Sequence, residues 1–326
     1  MKISKLMSLL LALCLVLMSL PSFVSAEDNH LSVAIVQLVS HPSLDQIHEG
    51  VIEGLADQGY KEGENLDINF QNAEGDMNLL TTISQQVTSQ KPDLIFAITT
   101  PVAQALQNAT SDIPIILAGI TDPEAANLID SLEKPGANIS GISDQIPMEE
   151  QFKLIKTMVP DAKKVGMIYS SSEDNSKAEI EKAQKAAEGQ GFEVQVQAIS
   201  SALDMQTVAE KLANETDLIF IGSDNTIASA FDSLISVTDR AKKPIFSPVE
   251  LMIGSGAVAG TAIKQKDIGL KSAEFAGKVL GGQEIGQLPI EYIEDYKVLV
   301  NEDSLKLLGL KVPGEIKDQV TSVAGE

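Results

Sequence analysis

The chain has 326 residues, 44% of them apolar, with 46 acidic against 24 basic side chains and a formal net charge of −22. So acidic a balance argues against nucleic acid as a partner, since phosphate binding needs a basic footprint, and it suits solubility. The single cysteine, Cys14, lies near the N-terminus, so the rest of the chain has neither disulfides nor thiol chemistry.

The first 26 residues read as an export signal. Lys2 and Lys5 open it, Leu6–Leu20 form an apolar core, and Val24-Ser25-Ala26 offers a small-residue cleavage site. The core is short for a membrane span. Leu11-Ala12-Leu13-Cys14 loosely resembles a lipid-attachment site. Leu13 is large where a small residue is wanted, so lipidation at Cys14 is disfavoured and cleavage after Ala26 is expected. Cleavage removes two lysines and no acids. It leaves an extracytoplasmic chain long enough for two modest domains.

Strands and helices then alternate. Leu31–Val39 is an apolar strand, and Ser43–Gln58 has helical spacing through Leu44, Ile47, Val51 and Leu55, stopped by Gly59. A strand at 66–70, a helix at 78–89, a strand at 94–98, a helix at 101–108 and a strand at 113–118 follow. After the turn Pro135-Gly136-Ala137-Asn138 comes a strand at 139–143. The order then restarts: helices are expected at 151–158, 176–188, 205–213 and 227–239, and strands at 165–169, 192–198, 218–221 and 245–246. Strands at 257–263 and near 296–300 flank a helix at 268–280.

This is the βαβ pattern of parallel sheets with helices on both faces. Two echoes show that the halves are alike. Asp-Leu-Ile-Phe occurs at 93–96 and 217–220, and Gln58-Gly59-Tyr60 is matched by Gln190-Gly191-Phe192. The expected fold is therefore α/β, with two Rossmann-like lobes facing a cleft. An N-terminal lobe takes 31–143 plus 260–286, and a C-terminal lobe takes 147–254 plus 294–326. About three crossover segments, at 143–147, 254–260 and 286–294, hinge them.

No phosphate-binding loop, zinc-protease motif or nucleophile elbow is present. Gly254-Ser255-Gly256 precedes a strand instead of following one, which suits a tight turn better than a nucleotide site. His41, Asp45 and His48 could share a helical face and seat a metal, but a helix start explains them more simply. What recurs is a small polar cluster after each strand: Ser40–Ser43, Thr99-Thr100-Pro101, Thr121-Asp122-Pro123, Ser170–Ser176 and Ser223–Thr226.

Each cluster suits a helix cap. Together they lie where parallel α/β sheets bind ligands. Arg240, the only arginine, sits late in a helix, so a ligand carboxylate would rest on backbone amides after Thr99 and Thr100. A ligand ammonium would want a carboxylate. Asp224 is the best placed, with Glu250 or Asp122 assisting, and Asp224→Ala is expected to abolish binding while sparing the fold.

The residues resemble a known family along about 31–313. Gln37 with Ser40-His41-Pro42, Thr100-Pro101 with Ala103-Gln104, Thr121-Asp122-Pro123, the run 135–138 through Gly141, Ser143 and Asp144, then Tyr169, Asn175-Ser176, Asp224-Asn225-Thr226 and Glu250 with Met252 and 255–257 are similar to the substrate-binding proteins of ABC transporters in the tryptophan/tyrosine-type amino-acid group. The resemblance implies the type I periplasmic binding fold. It also implies closure on one small ligand, most simply an amino acid, and docking of a monomer on a permease with its ATPase. Ligand-binding roles are then expected for Gln37, Ser40, Thr99, Thr100, Pro101, Thr121, Asp122, Ser143, Asp144, Tyr169, Asn175, Ser223, Asp224, Asn225 and Glu250, with no catalytic residue, cofactor or metal. The run Ala262-Ile263-Lys264-Gln265-Lys266 departs from the family, which often has tyrosines there, and few rings are available to stack on an aromatic ligand. An exported sensor using the same cleft is the alternative. An enzyme using Asp122, Asp224 or Glu250 would lack a nucleophile–base pair.

Overall fold

The computed structural model describes residues 30–323; the targeting segment 1–26 with Cys14, and the last three residues, lie outside them. Two sheets organise residues 31–323. The first comprises β1 (Leu31–Gln37), β2 (Leu66–Asn72), β3 (Leu94–Ile98), β4 (Ile115–Ala118), β5 (Ile139–Ser143) and the short β11 (Glu291–Tyr292). Its order is β11-β5-β4-β3-β1-β2 and every pair is parallel. The second comprises β6 (Lys164–Ser170), β7 (Glu193–Ile199), β8 (Leu218–Ile221), β9 (Ile245–Phe246), β10 (Ala259–Ala262), β12 (Lys297–Asn301) and β13 (Val320–Val323). Its order is β13-β12-β10-β9-β8-β6-β7, parallel except between β10 and β12.

Strands this apolar are buried on both faces, so helices must cover both. On one face of the first sheet lie α1 (Pro42–Asp57) and, from far along the chain, α10 (Gln265–Leu280). On the other lie α2 (Met77–Ser89) and α3 (Thr100–Ala109). The second sheet carries α4 (Met148–Met158), α5 (Asp174–Gly189) and α11 (Glu302–Leu308) on one face. Its other face carries α6 (Met205–Glu215), α7 (Asn225–Ser229), α8 (Phe231–Ala241) and α9 (Glu250–Gly254).

The sequence echoes are echoes of geometry. Asp93 Oδ2 accepts from the Ser32 amide at 2.8 Å, and Asp217 Oδ2 accepts from the Lys163 and Lys164 amides at 2.8 and 2.9 Å. In each lobe this aspartate pins the start of the neighbouring strand. Gly59 and Gly191 both take positive φ, +90° and +81°, and turn the chain out of α1 and α5. Tyr60 N then donates to Leu55 O, and Phe192 N to Ala187 O, closing the same helix-terminating turn twice.

Three boundaries differ from the sequence reading. Because β10 pairs with β9 and β12, residues 259–262 belong to the second sheet, and the chain leaves it only at 263–264, not over 254–260. Because β11 pairs with β5, the third passage falls at 293–296, after most of 286–294. The first passage, 144–147, follows β5 directly. The helix expected at 227–239 is two helices, broken at Ala230 (φ −115°, ψ 16°). The short α9, α11, β11 and β13 carry too little periodicity to be read from sequence.

α1 and α10 approach very closely. A side chain on Gly269 would collide with the Ile47 carbonyl oxygen and stand 2.7 Å from Val51 N, and one on Gly54 would stand 2.7 Å from the Ala273 Cβ. Gly50 faces the Lys266 carbonyl in the same way. Glycines spaced by four thus let backbone meet backbone, and the contact fixes the height at which α10 begins.

Candidate functional site

Both sheets share one strand logic: β2-β1-β3-β4-β5 in the first and β7-β6-β8-β9-β10 in the second. Each therefore has a topological switch between its two central strands, where the following loops part and a crevice opens beyond the carboxyl ends. The crevices face each other. Between them lies a cavity lined by residues of both lobes.

The wall is built from both switches. From the first lobe come His41, Ser43, Leu44, Ile47, Thr99, Thr100, Gly119, Thr121, Asp144 and Gln265. From the second come Asn175, Ser223, Asp224, Asn225, Ala228, Val249 and Met252. Buried polar atoms are normally hydrogen-bonded, so exceptions inform. Thr99 Oγ1, Asp144 Oδ1, Asn175 Oδ1 and His41 Nε2 are sealed from solvent without a partner, and all four belong to residues of this cavity. Thr99 also holds φ +88°, an uncommon conformation for a β-branched residue, at the head of α3.

The cavity is polarised end to end. Thr99 and Thr100 head α3, which contacts α5 across the cleft, and Asn175 lies in the first turn of α5. Leu44, Ile47 and Gln265 lie on α1 and α10, on the opposite face of the first sheet, and α9 with Met252 faces them from the second lobe. One end is thus rich in unpartnered polar atoms and the other is aliphatic.

Carboxyls gather at the polar end. Burial pushes Asp144 up to about 6, against a downward pull from the Thr121 hydroxyl. Burial pushes Glu179 up to about 8, reinforced by the charges of Asp144 and Asp224 and opposed by the Ser223 amide and Lys182. Asp224 is raised by burial and by Glu173. His41 is lowered by burial, so its ring is neutral at pH 7.

Asp224 is not the free carboxylate that the sequence reading assigned to an ammonium. It caps α7, with Oδ1 accepting from Ile227 N at 2.9 Å. Its Oδ2 accepts from Ser170 N at 2.6 Å and from the Ser176 hydroxyl. Glu173 is committed in the same way, accepting from the amides of Asn225 and Thr226, the Asn225 side chain and the Thr226 hydroxyl. Asp144 is the cavity carboxylate with an oxygen to spare.

The other expected residues stand around the cavity. Gln37 donates to Asp45 and to the Val39 carbonyl, and Ser40 donates to Asp45, so both brace the entry to α1. Pro101 begins α3. Ser143 donates to Thr121 O and accepts from Gln145 N, shaping the first crossing. Tyr169 packs on the second lobe's core. Glu250 lines a separate groove with Gln46, Glu49 and Lys264. Of the three residues weighed for a metal, His41 faces the cavity, Asp45 is held by Gln37 and Ser40, and His48 stacks on Phe70 at 4.2 Å.

Asp122 has a different part. Its carboxylate meets Lys182 of the other lobe at 2.6 Å. Beside it Gln104 Nε2 donates to Asp174 Oδ2 at 3.1 Å, again from lobe to lobe. These contacts bridge the two lobes.

Sequence reasoning missed Gln265, Ile47 and Val249 as cavity residues, and Glu179 as the buried acceptor of the Ser223 amide. Glu179 lies one turn after Asn175 and Ser176 on the buried face of α5, a polar residue on an otherwise core-facing stripe, and that misfit was a readable signal. The aliphatic wall carries no such mark.

A family model described as ABC transporter substrate binding protein matches residues 32–324. A tyrosine-binding protein of Clostridioides difficile is 40% identical over 280 residues, 86% of this chain and 81% of that protein. A Streptococcus pneumoniae ABC domain solved in complex with L-Trp superposes with TM-score 0.87 at 37% identity, covering 90% of this chain and 99% of that one. The ligand-free, open structure of CD0873, a substrate-binding protein from Clostridium difficile, gives 0.70 at 36% identity, covering 91% and 100%. The lower score against an open form accords with the lobe-to-lobe contacts seen here. Such proteins are extracytoplasmic, type I periplasmic binding proteins that hold ligands without transforming them. The chain belongs to the ABC transporter substrate-binding protein family.

Proposed function

We propose that this protein captures a free α-amino acid outside the cytoplasm and delivers it to a membrane permease and its ATPase, working as a monomer released from its export signal. The observation that carries the reading is the set of unpartnered atoms in one cavity. Asp144 Oδ1 and Asn175 Oδ1 can only accept, which suits an ammonium. The Thr99 hydroxyl can donate, and the free amides that open α3 favour an anion, which suits the α-carboxylate. The aliphatic end takes the side chain. Relatives named for tyrosine and bound to tryptophan support an aromatic one. Met252 would give a ring a sulfur contact in a cavity lined by no Phe, Tyr or Trp among the described residues.

Capture requires motion. The lobes, 31–143 with 265–292 and 147–262 with 297–323, are proposed to hinge about 144–147, 263–264 and 293–296. Lys182→Ala removes one closing contact. A half-exposed ion pair is worth about 0.5–1 kcal/mol, so dissociation should quicken about two- to fivefold, read by stopped-flow, and the difference from wild type should shrink in high salt.

Acidity gives a second check. An ammonium needs Asp144 ionised, so affinity should fall as pH drops through about 6. The free protein behaves oppositely. Its Asp144 and Glu179 hold protons at pH values where the unfolded chain has lost them, so their contribution to stability declines as pH rises through those raised values. Isothermal titration and thermal melts between about pH 5 and pH 8 separate the two trends. Affinity unchanged across that range would remove Asp144 from the ammonium. The identity test is direct: denature the purified protein, identify any released molecule by mass spectrometry, and rank amino acids by thermal shift. A shift with sugars or purines and with no amino acid defeats the proposal.

A further inference from the structure

The aliphatic end of the cavity contains one side chain that does not belong there on packing grounds. Gln265 opens α10 directly after the second crossing and is 7% exposed. Its side chain lines the cavity, and its carboxamide makes no hydrogen bond to another described residue. The same cavity wall includes Leu44 and Ile47 from its own lobe and Val249 and Met252 from the other. Its position is not loose. The glycine contact between α1 and α10 sets where the helix begins, and Gln265 is its first residue.

A leucine or methionine here would complete an apolar wall at no desolvation cost. A glutamine offers one acceptor and two donors, uncharged, on a helix that packs on the opposite face of the first sheet from α3 with its Thr99 cap. We propose that Gln265 is a specificity-determining residue that hydrogen-bonds a neutral polar group at the tip of an otherwise apolar ligand side chain, a phenolic hydroxyl or an indole N–H. This rests on the amino-acid reading above and adds what that reading leaves open. The site selects for the polar tip and not for the ring alone. A site built to bond a hydroxyl or N–H rejects the analogue that lacks it, because its own group is then buried unpaired.

The test uses matched pairs on the whole processed protein by isothermal titration: tyrosine against phenylalanine, and tryptophan against 1-methyltryptophan. The first pair reads a hydroxyl and the second an N–H. In the wild type, at least one pair is expected to differ tenfold or more in Kd. In Gln265→Met that preference should collapse to within about threefold, with phenylalanine bound at least as well as before. A melting temperature near wild type for Gln265→Met shows that the variant is folded, and the wild-type ratios stand without it. If amino acids bind but neither pair is discriminated, or the discrimination survives Gln265→Met, the inference is overturned while the amino-acid reading stands. If no amino acid binds, that reading falls and this one falls with it.

Discussion

Asp144→Ala is expected to weaken amino-acid binding by two to four orders of magnitude. Removing one member of a buried charge pair leaves the other desolvated and unpaired, a loss of about 3–5 kcal/mol, and every 1.4 kcal/mol is tenfold. The same substitution should not lower the melting temperature of the ligand-free protein, since Asp144 Oδ1 is buried without a partner and burial already disfavours its charge. Asp224→Ala should do the reverse. Its carboxylate satisfies Ser170 N, Ser176 Oγ and Ile227 N, so its loss strips a helix cap and strands buried donors. That should cost about 2–4 kcal/mol of stability, with binding damaged only through the fold. Titration and melts of the two variants together decide the assignment. Near-normal affinity in Asp144→Ala would return the ammonium to Asp224.

The second large effect is at Gly269. Gly269→Ala places a methyl group against the Ile47 carbonyl and the Val51 amide, both backbone atoms inside a helix that cannot give way locally. Overpacking usually costs about 1–3 kcal/mol, and a clash with several backbone atoms of α1 should reach the upper end or beyond. At roughly 2–4 °C per kcal/mol for a large domain, the melting temperature should fall by about 6–10 °C. Ligand affinity should fall too, because Leu44, Ile47 and Gln265 ride on the two helices forced apart. Gly189→Ala is the control. It sits at the end of α5 with nothing near a new methyl, and should leave stability unchanged or slightly raised. Equal melting temperatures for the two variants would mean that the α1–α10 contact is not tight.

The alternating pattern was legible because buried parallel strands such as 94–98 are unbroken apolar runs and helices such as α1 keep their spacing. The doubling was legible because Asp93 and Asp217 do the same work in each lobe. Chain crossings were harder to place. Whether Ala259–Ala262 pairs with β9 and β12 or with the first sheet depends on a register that four small residues do not encode. Among site residues, the strand-end clusters led to Thr99, Thr100, Asn175 and Asp224, and the family resemblance to Asp144. They could not tell Asp144 from Asp224, because a capping aspartate and a free one look alike until their partners are known. Gln265 was visible only as a departure from a pattern, with no sign that it faces a cavity.

The contact between α1 and α10 has a consequence for how the molecule comes to exist. The helix that covers α1 arrives more than two hundred residues after it, once the whole of the second sheet's β6 to β10 has been laid down. The first lobe is therefore not a prefix of the chain: β6 to β10 of the second sheet lie inside it, and β12 and β13 follow it. A nascent chain ending before Gln265 would carry the bare glycine stripe of α1 and an open apolar face on its first sheet. Pairings this distant close late and slowly, so the second lobe can assemble its central strands while the first still waits for its last helix. The two halves look alike when read along the chain, yet only one of them can be finished first.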